Sequence, residues 1–147
     1  VVINRYQPNT KPTVGFIKHF GLKEGAIASS VAHDSHNVLV VGVEDEAIVK
    51  AANLVIENQG GIAVATTSEV QSLPLPVGGL MSHEDGFAVA EQYEQLDQKA
   101  KELGSTLSAP FMTLSFMALL VIPELKISDE GLFDATGFDF TEIFMKE

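Results

Sequence analysis

The fold of this chain is decided by the stretch Gly25–Gly42, which reads GAIASSVAHDSHNVLVVG. It begins with small apolar residues as far as Ala32, continues with the polar segment 33–37, and ends in a run of β-branched residues from Val38. Short apolar runs of this kind are typical of strands that are buried on both faces of a sheet. The stretch therefore predicts two buried strands joined by a polar connection.

Two helices are expected outside this stretch. Residues 44–59 carry one apolar stripe at helical spacing, and two glycines follow at the position where helices commonly end. A second helix is expected over residues 83–103, because Ser82 and the acidic residues after it form the pattern of a capping box. Its charged residues are expected to form a solvated face.

The remaining apolar segments predict strands. Residues 62–66 and 69–73 are expected to pair as a hairpin, and the proline- and glycine-containing segment 73–81 is expected to be irregular and packed on the core or at an interface. Further strand-like segments are 1–6, 14–20, 110–123 and a strand–turn–strand over 124–134, with a short amphipathic piece over 138–144. We expect an α+β fold over a single domain, 1–147, in which two helices pack on a mixed, mostly antiparallel sheet.

Composition excludes several classes of partner. The net charge of −11 argues against nucleic acid and against an anionic membrane surface, since both require a basic surface. No apolar run is long enough to span a bilayer. The chain has no cysteine, which removes disulfides and thiolate metal sites and is consistent with a cytoplasmic protein. Because the chain begins at Val1 inside a strand-like segment, we expect a longer protein with a partner N-terminal to it.

The polar segment between the two buried strands is the candidate site. It concentrates two imidazoles, a carboxylate, a hydroxyl and an amide, in the residues His33, Asp34, Ser35, His36 and Asn37. One interpretation is a tight turn, because aspartate, serine and asparagine hydrogen-bond their own backbone. The other is a functional site.

Two forms of chemistry were considered for this segment. A metal shared by His33 and His36 would need a bent backbone, because residues three apart face opposite sides of a regular strand. Asp34 could then ligate the metal or orient an imidazole. A Ser/His/Asp triad with Ser29, Ser30 or Ser35 is disfavoured, since the strand-to-helix elbow motif is missing and triad members normally come from distant segments.

Three long blocks of the sequence resemble the C-terminal domain of bacterial adenine deaminase, in the amidohydrolase superfamily. The blocks are Gly21–Asn37, Leu73–Ser82 and the set Pro110–Phe116, Val121–Lys126 and Gly131–Leu132. The resemblance extends over nearly the whole chain in the same order. It is more specific than any single short motif.

The resemblance implies hydrolysis of adenine to hypoxanthine and ammonia in purine salvage, catalysed by a (β/α)8 barrel N-terminal to this domain. A divalent metal, manganese or iron, is expected on that barrel and none in this fragment, which should be inactive alone. The resemblance also implies that His33, Asp34 and His36 form a catalytic loop at the mouth of the barrel, with Ser35 and Asn37 binding the substrate. It further implies a cytoplasmic homo-oligomer.

Two other classes of function remain open. The domain could be structural or serve dimerisation, for which the apolar segments 74–81 and 111–122 would be suited. It could instead be a self-contained module for a small ligand or metal, which a bound ion at His33 and His36 would indicate. Whether the polar segment is exposed in a concave surface or buried in turn hydrogen bonds discriminates between these interpretations.

Overall fold

The computed structural model describes residues 1–144, and its centre is a five-stranded sheet. The strands are β1 (Val2–Ile3), β2 (Ala26–Ser29), β3 (Val38–Gly42), β4 (Gly61–Ala65) and β5 (Val70–Pro74), in the order β1-β3-β2-β4-β5. Every pair of neighbours is antiparallel. The two strands of the opening stretch therefore lie side by side inside the sheet, as their apolar sequences predict, and the 69–73 hairpin strand is confirmed.

Helix α1 (Asp45–Glu57) covers one face of this sheet. Its buried residues pack on the small residues of β2 and β4 and on valines of β3, in the cluster Ala26, Ala28, Val38, Val40, Ala47, Ala51, Ala52, Val55, Ala63 and Ala65. Helix α1 lies close to β3 at Gly42, because a Cβ added to Gly42 would lie 2.6 Å from Ile48 Cγ1. Small side chains in the sheet allow this contact, and the predicted helix is confirmed.

The opposite face is covered by α2 (Gly86–Glu102) and α3 (Pro110–Phe116). Both helices contribute to the second apolar cluster, with Leu96 and Ala100 from α2 and Phe111 and Leu114 from α3. The prediction of α2 is confirmed, but the prediction that Ser82 caps it is wrong. The Asp85 carboxylate, not the Ser82 hydroxyl, accepts the hydrogen bonds from the first turn.

Two strand predictions are corrected by the structure. Residues 110–123 form the short helix α3 followed by turns, because Pro110 occupies the first turn, where its missing N–H costs nothing. Residues 14–20 form no regular strand, and the only ladder contact near them is the bridge from Val2 to Thr13. A run of apolar residues shows that a segment is buried without deciding between helix and strand.

A small second sheet completes the described chain. It consists of β6 (Leu125–Ile127), β7 (Leu132–Asp134) and β8 (Asp139–Thr141), all antiparallel. The strand–turn–strand over 124–134 is confirmed. The segment 73–81 is only partly irregular, since β5 extends to Pro74, while Leu75 after it is buried as expected. Within residues 1–144, no helix is long and apolar enough to cross a membrane.

The α+β fold is therefore confirmed, with every strand pair of the described chain antiparallel. Two helical layers enclose the larger sheet. This arrangement brings the connection between β2 and β3 to one end of the sheet, beside the C-terminal end of α3. The backbone N–H of His33 donates to the Ser115 carbonyl at 3.0 Å.

Candidate functional site

The segment from His33 to Asn37, here called the histidine loop, joins the antiparallel neighbours β2 and β3. It serves as a turn and also presents polar side chains outward. Asp34 and Ser35 are exposed, and His33 and His36 are half-buried. Asn37 is 2% exposed and belongs to the core of the molecule. The loop therefore combines an exposed tip with a buried base.

His36 has the least ordinary backbone of the loop. Its φ is +52°, a left-handed conformation that asparagine, aspartate and histidine adopt more often than other residues. Its N–H donates to the Ala32 carbonyl at 2.6 Å, and its Nδ1 accepts from the Ala32 N–H at 3.2 Å. A neutral imidazole that accepts at Nδ1 carries its proton on Nε2. The backbone thus selects one tautomer of His36.

The electrostatic surroundings of His36 favour the neutral ring. Burial lowers the pKa of His36 from its ordinary value of 6.5, and the charges of His33 and Arg5 lower it further. The Asp34 carboxylate opposes them by stabilising the imidazolium. The hydrogen bond that Nδ1 accepts also lowers the pKa of His36, because a protonated ring has no nitrogen left to accept it. His36 therefore presents an N–H donor and no net charge at neutral pH.

His33 lies between its partner histidine and helix α3. Its ring centroid is 5.7 Å from that of His36 in an edge-on arrangement and 5.1 Å from that of Phe116. Edge-on and tilted pairs at these separations are favourable aromatic contacts. They fix the imidazole of His33 beside the exposed side of α3.

The buried base of the loop is held by Asn37. Its Oδ1 accepts from the Arg5 N–H at 3.3 Å, and its Nδ2 donates to Ser35 Oγ at 3.3 Å and to Asp129 Oδ1 at 2.9 Å. Asp129 also accepts from Asn4 Nδ2 at 2.6 Å. All three of these hydrogen-bond partners of Asn37 belong to this chain. The expected contact of Asn37 with a substrate therefore stays a prediction.

Three further residues support the loop, and the sequence analysis had not singled them out. The Tyr6 hydroxyl donates to the Ser35 carbonyl at 2.7 Å, and the Arg5 guanidinium lies 5.2 Å from the Tyr6 ring centroid. Arg5 also donates to the Gly78 carbonyl. The only signal for Arg5 and Tyr6 was their position at the end of the predicted strand 1–6, which the structure shortens to Val2–Ile3, and Asp129 had no signal. Their roles depend on β1 pairing with β3.

Two of the three candidate nucleophiles, Ser29 and Ser30, are buried and hydrogen-bonded within the framework. Ser30 is fully buried; its Oγ donates to the Gly79 carbonyl at 2.5 Å and accepts from the Gly61 N–H at 2.8 Å. Ser29 Oγ accepts from the Val31 N–H at 3.0 Å. These hydrogen bonds tie β2 to β4 and to the segment after β5. Neither hydroxyl is directed to an imidazole.

The residues that the structure describes do not fit a metal ion. No group of three or more histidine, aspartate or glutamate side chains within residues 1–144 could hold one. His36 Nδ1 is occupied by the Ala32 N–H, and the two imidazoles meet edge to face. The histidine loop can instead donate and accept hydrogen bonds through His33, Asp34, Ser35 and the Nε2 of His36.

A wide surface depression lies away from the histidine loop. It is an open groove of about 730 Å³ between residues 3–10 and the C-terminal end of α1, and Gln59 and Gly60 contribute to its lining. The histidine loop is not part of its lining. Tyr6 connects the two, since it lines the groove and donates to the loop at Ser35.

Comparison with known proteins shows that the chain is similar to the C-terminal part of longer polypeptides. The family model described as "Adenine deaminase C-terminal domain" matches residues 1–139. Curated proteins named adenine deaminase are similar over the whole chain: that of Methanosarcina barkeri is 58% identical over 147 residues, covering 100% of this chain and 26% of its own length. That of Sulfurovum sp. is 58% identical over 142 residues, with 96% and 26% covered. That of Borreliella burgdorferi is 50% identical over 142 residues, again with 96% and 26% covered.

The chain matches only part of the length of each relative, so the comparison concerns that part alone. This chain spans about a quarter of the length of the curated relatives it matches. About three quarters of each relative therefore has no counterpart in the 147 residues. The matched family is a C-terminal domain, so that remainder precedes it.

Proposed function

This chain belongs to the family of adenine deaminase C-terminal domains, and on that ground we propose that it forms the C-terminal domain of an enzyme that deaminates adenine. In this reaction adenine and water give hypoxanthine and ammonia. The observation that carries the proposal is the match of residues 1–139 to the family, together with 50–58% identity to curated adenine deaminases. The setting that we propose is purine salvage in the cytoplasm, with the enzyme as a homo-oligomer.

The hydrolytic chemistry is assigned to the part of the polypeptide that precedes this domain. A barrel of the amidohydrolase superfamily would hold a divalent metal, manganese or iron, which activates the attacking water when it is bound. The side chains of residues 1–144 offer no such metal site. We therefore derive no metal-dependent step for this domain, and the isolated chain is proposed to be inactive.

The histidine loop is proposed to form one wall of the active-site mouth. Adenine carries ring nitrogens that accept hydrogen bonds and an amino group that must leave with an added proton. The half-buried His33 and His36 and the exposed Asp34 supply donors and an acceptor at one end of the sheet. The neutral His36 would donate from Nε2, while its Nδ1 is held by Ala32.

The two substrate-binding candidates divide between contact and positioning. Ser35 is exposed and can reach a ligand, whereas Asn37 is buried and donates to Ser35 Oγ at 3.3 Å. We assign contact to Ser35 and assign to Asn37 the positioning of the loop. The hydrogen bond from Tyr6 to the Ser35 carbonyl acts in the same way.

The test is the kinetics of His36→Asn in the full-length deaminase. Asparagine tolerates the left-handed backbone of residue 36, so the exchange removes the imidazole without adding backbone strain. We expect kcat/KM for adenine to fall by roughly 100-fold, the usual scale for losing a proton-transfer group. Asp34→Asn should also lower it.

The matched control is His19→Asn. His19 is exposed and has a φ of +65°, so this variant makes the same chemical exchange at a second left-handed position outside the loop. It should keep wild-type kinetics. Wild-type kinetics in both His36→Asn and Asp34→Asn would contradict the loop's part in the reaction and favour a purely structural domain.

A further inference from the structure

One exposed surface of the domain is apolar and adjoins the histidine loop. Met112 and Phe116 are four residues apart, so they share a side of α3, and they are 52% and 37% exposed. The turns after α3 add the exposed residues Val121 and Ile122. The ring of Phe116 lies 5.1 Å from that of His33. We call the surface formed by Met112, Phe116, Val121 and Ile122 the α3 patch.

The α3 patch differs from the exposed apolar residues of α1 in the charge of its surroundings. Residues 103–123 contain no charged side chain, although the chain has a net charge of −11. Exposed apolar residues on α1, such as Val49, instead stand among acidic and basic neighbours of that helix, including Glu46 and Lys50. Interface cores are depleted of charge and enriched in methionine and aromatic residues. The α3 patch has this composition.

We propose that the α3 patch is the surface on which the preceding catalytic part of the same polypeptide docks. This inference rests on the proposed function, since it places the histidine loop at the boundary between the two parts. About three quarters of the length of the relatives precedes this domain. A partner of that size, joined covalently, is therefore present whenever the domain is.

Docking within one polypeptide also suits the size of the patch. Stable association of separate proteins buries about 800 Å² on each partner, which four side chains do not supply. A covalent connection raises the effective concentration to the millimolar range, so that a small apolar contact is sufficient. A second copy of the chain would also have to bury an area of that size, so it is disfavoured as the occupant of this patch.

The test compares the reactivity of two thiols in the full-length deaminase. Met112→Cys places a thiol in the α3 patch, and Val49→Cys places one on α1, on the opposite face of the sheet. The two side chains have nearly equal exposure in this domain, 52% and 55%. The domain itself contains no cysteine, and peptide mass spectrometry separates these thiols from any others in the polypeptide.

With the α3 patch covered, maleimide should modify Met112→Cys at least about tenfold more slowly than Val49→Cys, because packing at interface cores excludes the reagent. In denaturant the two rates should become equal. The protection must persist when the protein is diluted until it is monomeric by light scattering. Equal rates in the native protein would overturn the proposal, and protection lost on dilution would assign the patch to contacts between copies.

This measurement is independent of the kinetics of the histidine loop. Protection of Met112→Cys together with wild-type kinetics in His36→Asn would leave the docking surface in place and contradict only the loop's chemical part. Equal labelling of the two thiols together with impaired kinetics in His36→Asn would contradict the docking surface and leave the loop's chemical part in place. The two proposals therefore fail separately.

Discussion

The side-chain amide of Asn37 donates to the carboxylate of Asp129 at 2.9 Å, across 92 residues of sequence. This bond joins the base of the histidine loop to the turn between β6 and β7. Asp129 Oδ2 accepts from Asn4 Nδ2 at 2.6 Å, so one carboxylate holds the loop and the segment after β1 together. The position of the loop thus depends on the small sheet.

Replacing Asp129 by asparagine tests this junction. One of the two acceptor oxygens becomes a donor, which then faces the amide donor of Asn37 or Asn4. We expect Asp129→Asn to lower the free energy of unfolding by roughly 1.5–3 kcal/mol, the scale of a hydrogen bond to a charged group. Urea denaturation followed by circular dichroism measures it.

The control for this prediction is the neighbouring carboxylate. Glu130 is exposed, so Glu130→Gln removes a charge next to the same turn and should change stability by no more than about 0.5 kcal/mol. Equal losses in the two variants would show that net charge, and not the junction, determines the effect.

The contact between Gly79 and Arg5 gives a second prediction. Gly78 and Gly79 both have positive φ, +67° and +77°, so alanine at either position is strained by about 1–2 kcal/mol. A Cβ on Gly79 would also lie 1.7 Å from Arg5 Nη1, whereas a Cβ on Gly78 meets nothing within 4 Å. Gly79→Ala should therefore destabilise the fold by about 1 kcal/mol more than Gly78→Ala, because it displaces the guanidinium from its hydrogen bond to the Gly78 carbonyl.

A double-mutant cycle isolates that excess. In an Arg5→Ala background, Gly79→Ala and Gly78→Ala should have similar effects, since the clashing guanidinium is gone. An excess that survives in this background would assign the effect to the backbone alone. Thermal or urea denaturation of the six chains, with each glycine exchange made in the wild-type and the Arg5→Ala background, gives the required free energies.

The third prediction concerns the titration of His36. Burial and the charges of His33 and Arg5 lower its pKa in the folded protein, so the unfolded chain takes up a proton first as the pH falls. The contribution of His36 to the free energy of unfolding is fully present above the pKa of about 6.5 in the unfolded chain. It is lost as the pH falls through that value towards the lower pKa of the folded protein. Two-dimensional NMR of the imidazole resonances should give a pKa for His36 below 6.5.

The same prediction can be checked by comparing stabilities. Between about pH 7.5 and pH 5, the wild-type chain should lose more stability than His36→Asn, which has no proton to take up at this position. Asp34→Asn should lower the pKa of His36 further, because it removes the charge that favours the imidazolium. A His36 pKa at or above 6.5 would show that the imidazole is not desolvated.

The fourth prediction concerns the isolated chain of 147 residues. Purified alone and shown by circular dichroism to be folded, it should release no ammonia from adenine, with or without added manganese or iron. The reason is that residues 1–144 offer no group of side chains that could hold a metal ion. Metal-dependent release of ammonia would mean that the histidine loop is a complete active site and that the assignment of catalysis to the preceding part is wrong.

Local patterns in the sequence were sufficient for the elements near the histidine loop. The apolar runs around it became β2 and β3, and the stripe of Ile48, Ala51, Ala52 and Val55 became α1, because side-chain periodicity and burial are local properties of the chain. The start of α2 was placed too early because Ser82 and Asp85 both have side chains suited to capping. Ser82 Oγ instead accepts from the Glu84 N–H in a turn before the helix.

Other elements were not accessible from local pattern. Residues 110–123 are apolar except for Thr113 and Ser115. Two polar residues are too few to distinguish the helix α3 from a buried strand, so packing on the sheet decides the outcome. The candidate loop itself was located from its composition. Its composition did not predict the division into an exposed tip and a buried base, because the exposure of Asp34 and the burial of Asn37 depend on what packs around them.

The sequence by itself therefore determined the family, the fold class and the position of the polar loop between two buried strands. Only the tertiary structure decided which side chains hold that loop. Tyr6 reaches Ser35, and Asp129 reaches Asn37, because β1 pairs with β3 and the small sheet packs beside it. Hydrogen bonds between residues far apart in sequence depend on strand order and register, which no local pattern specifies.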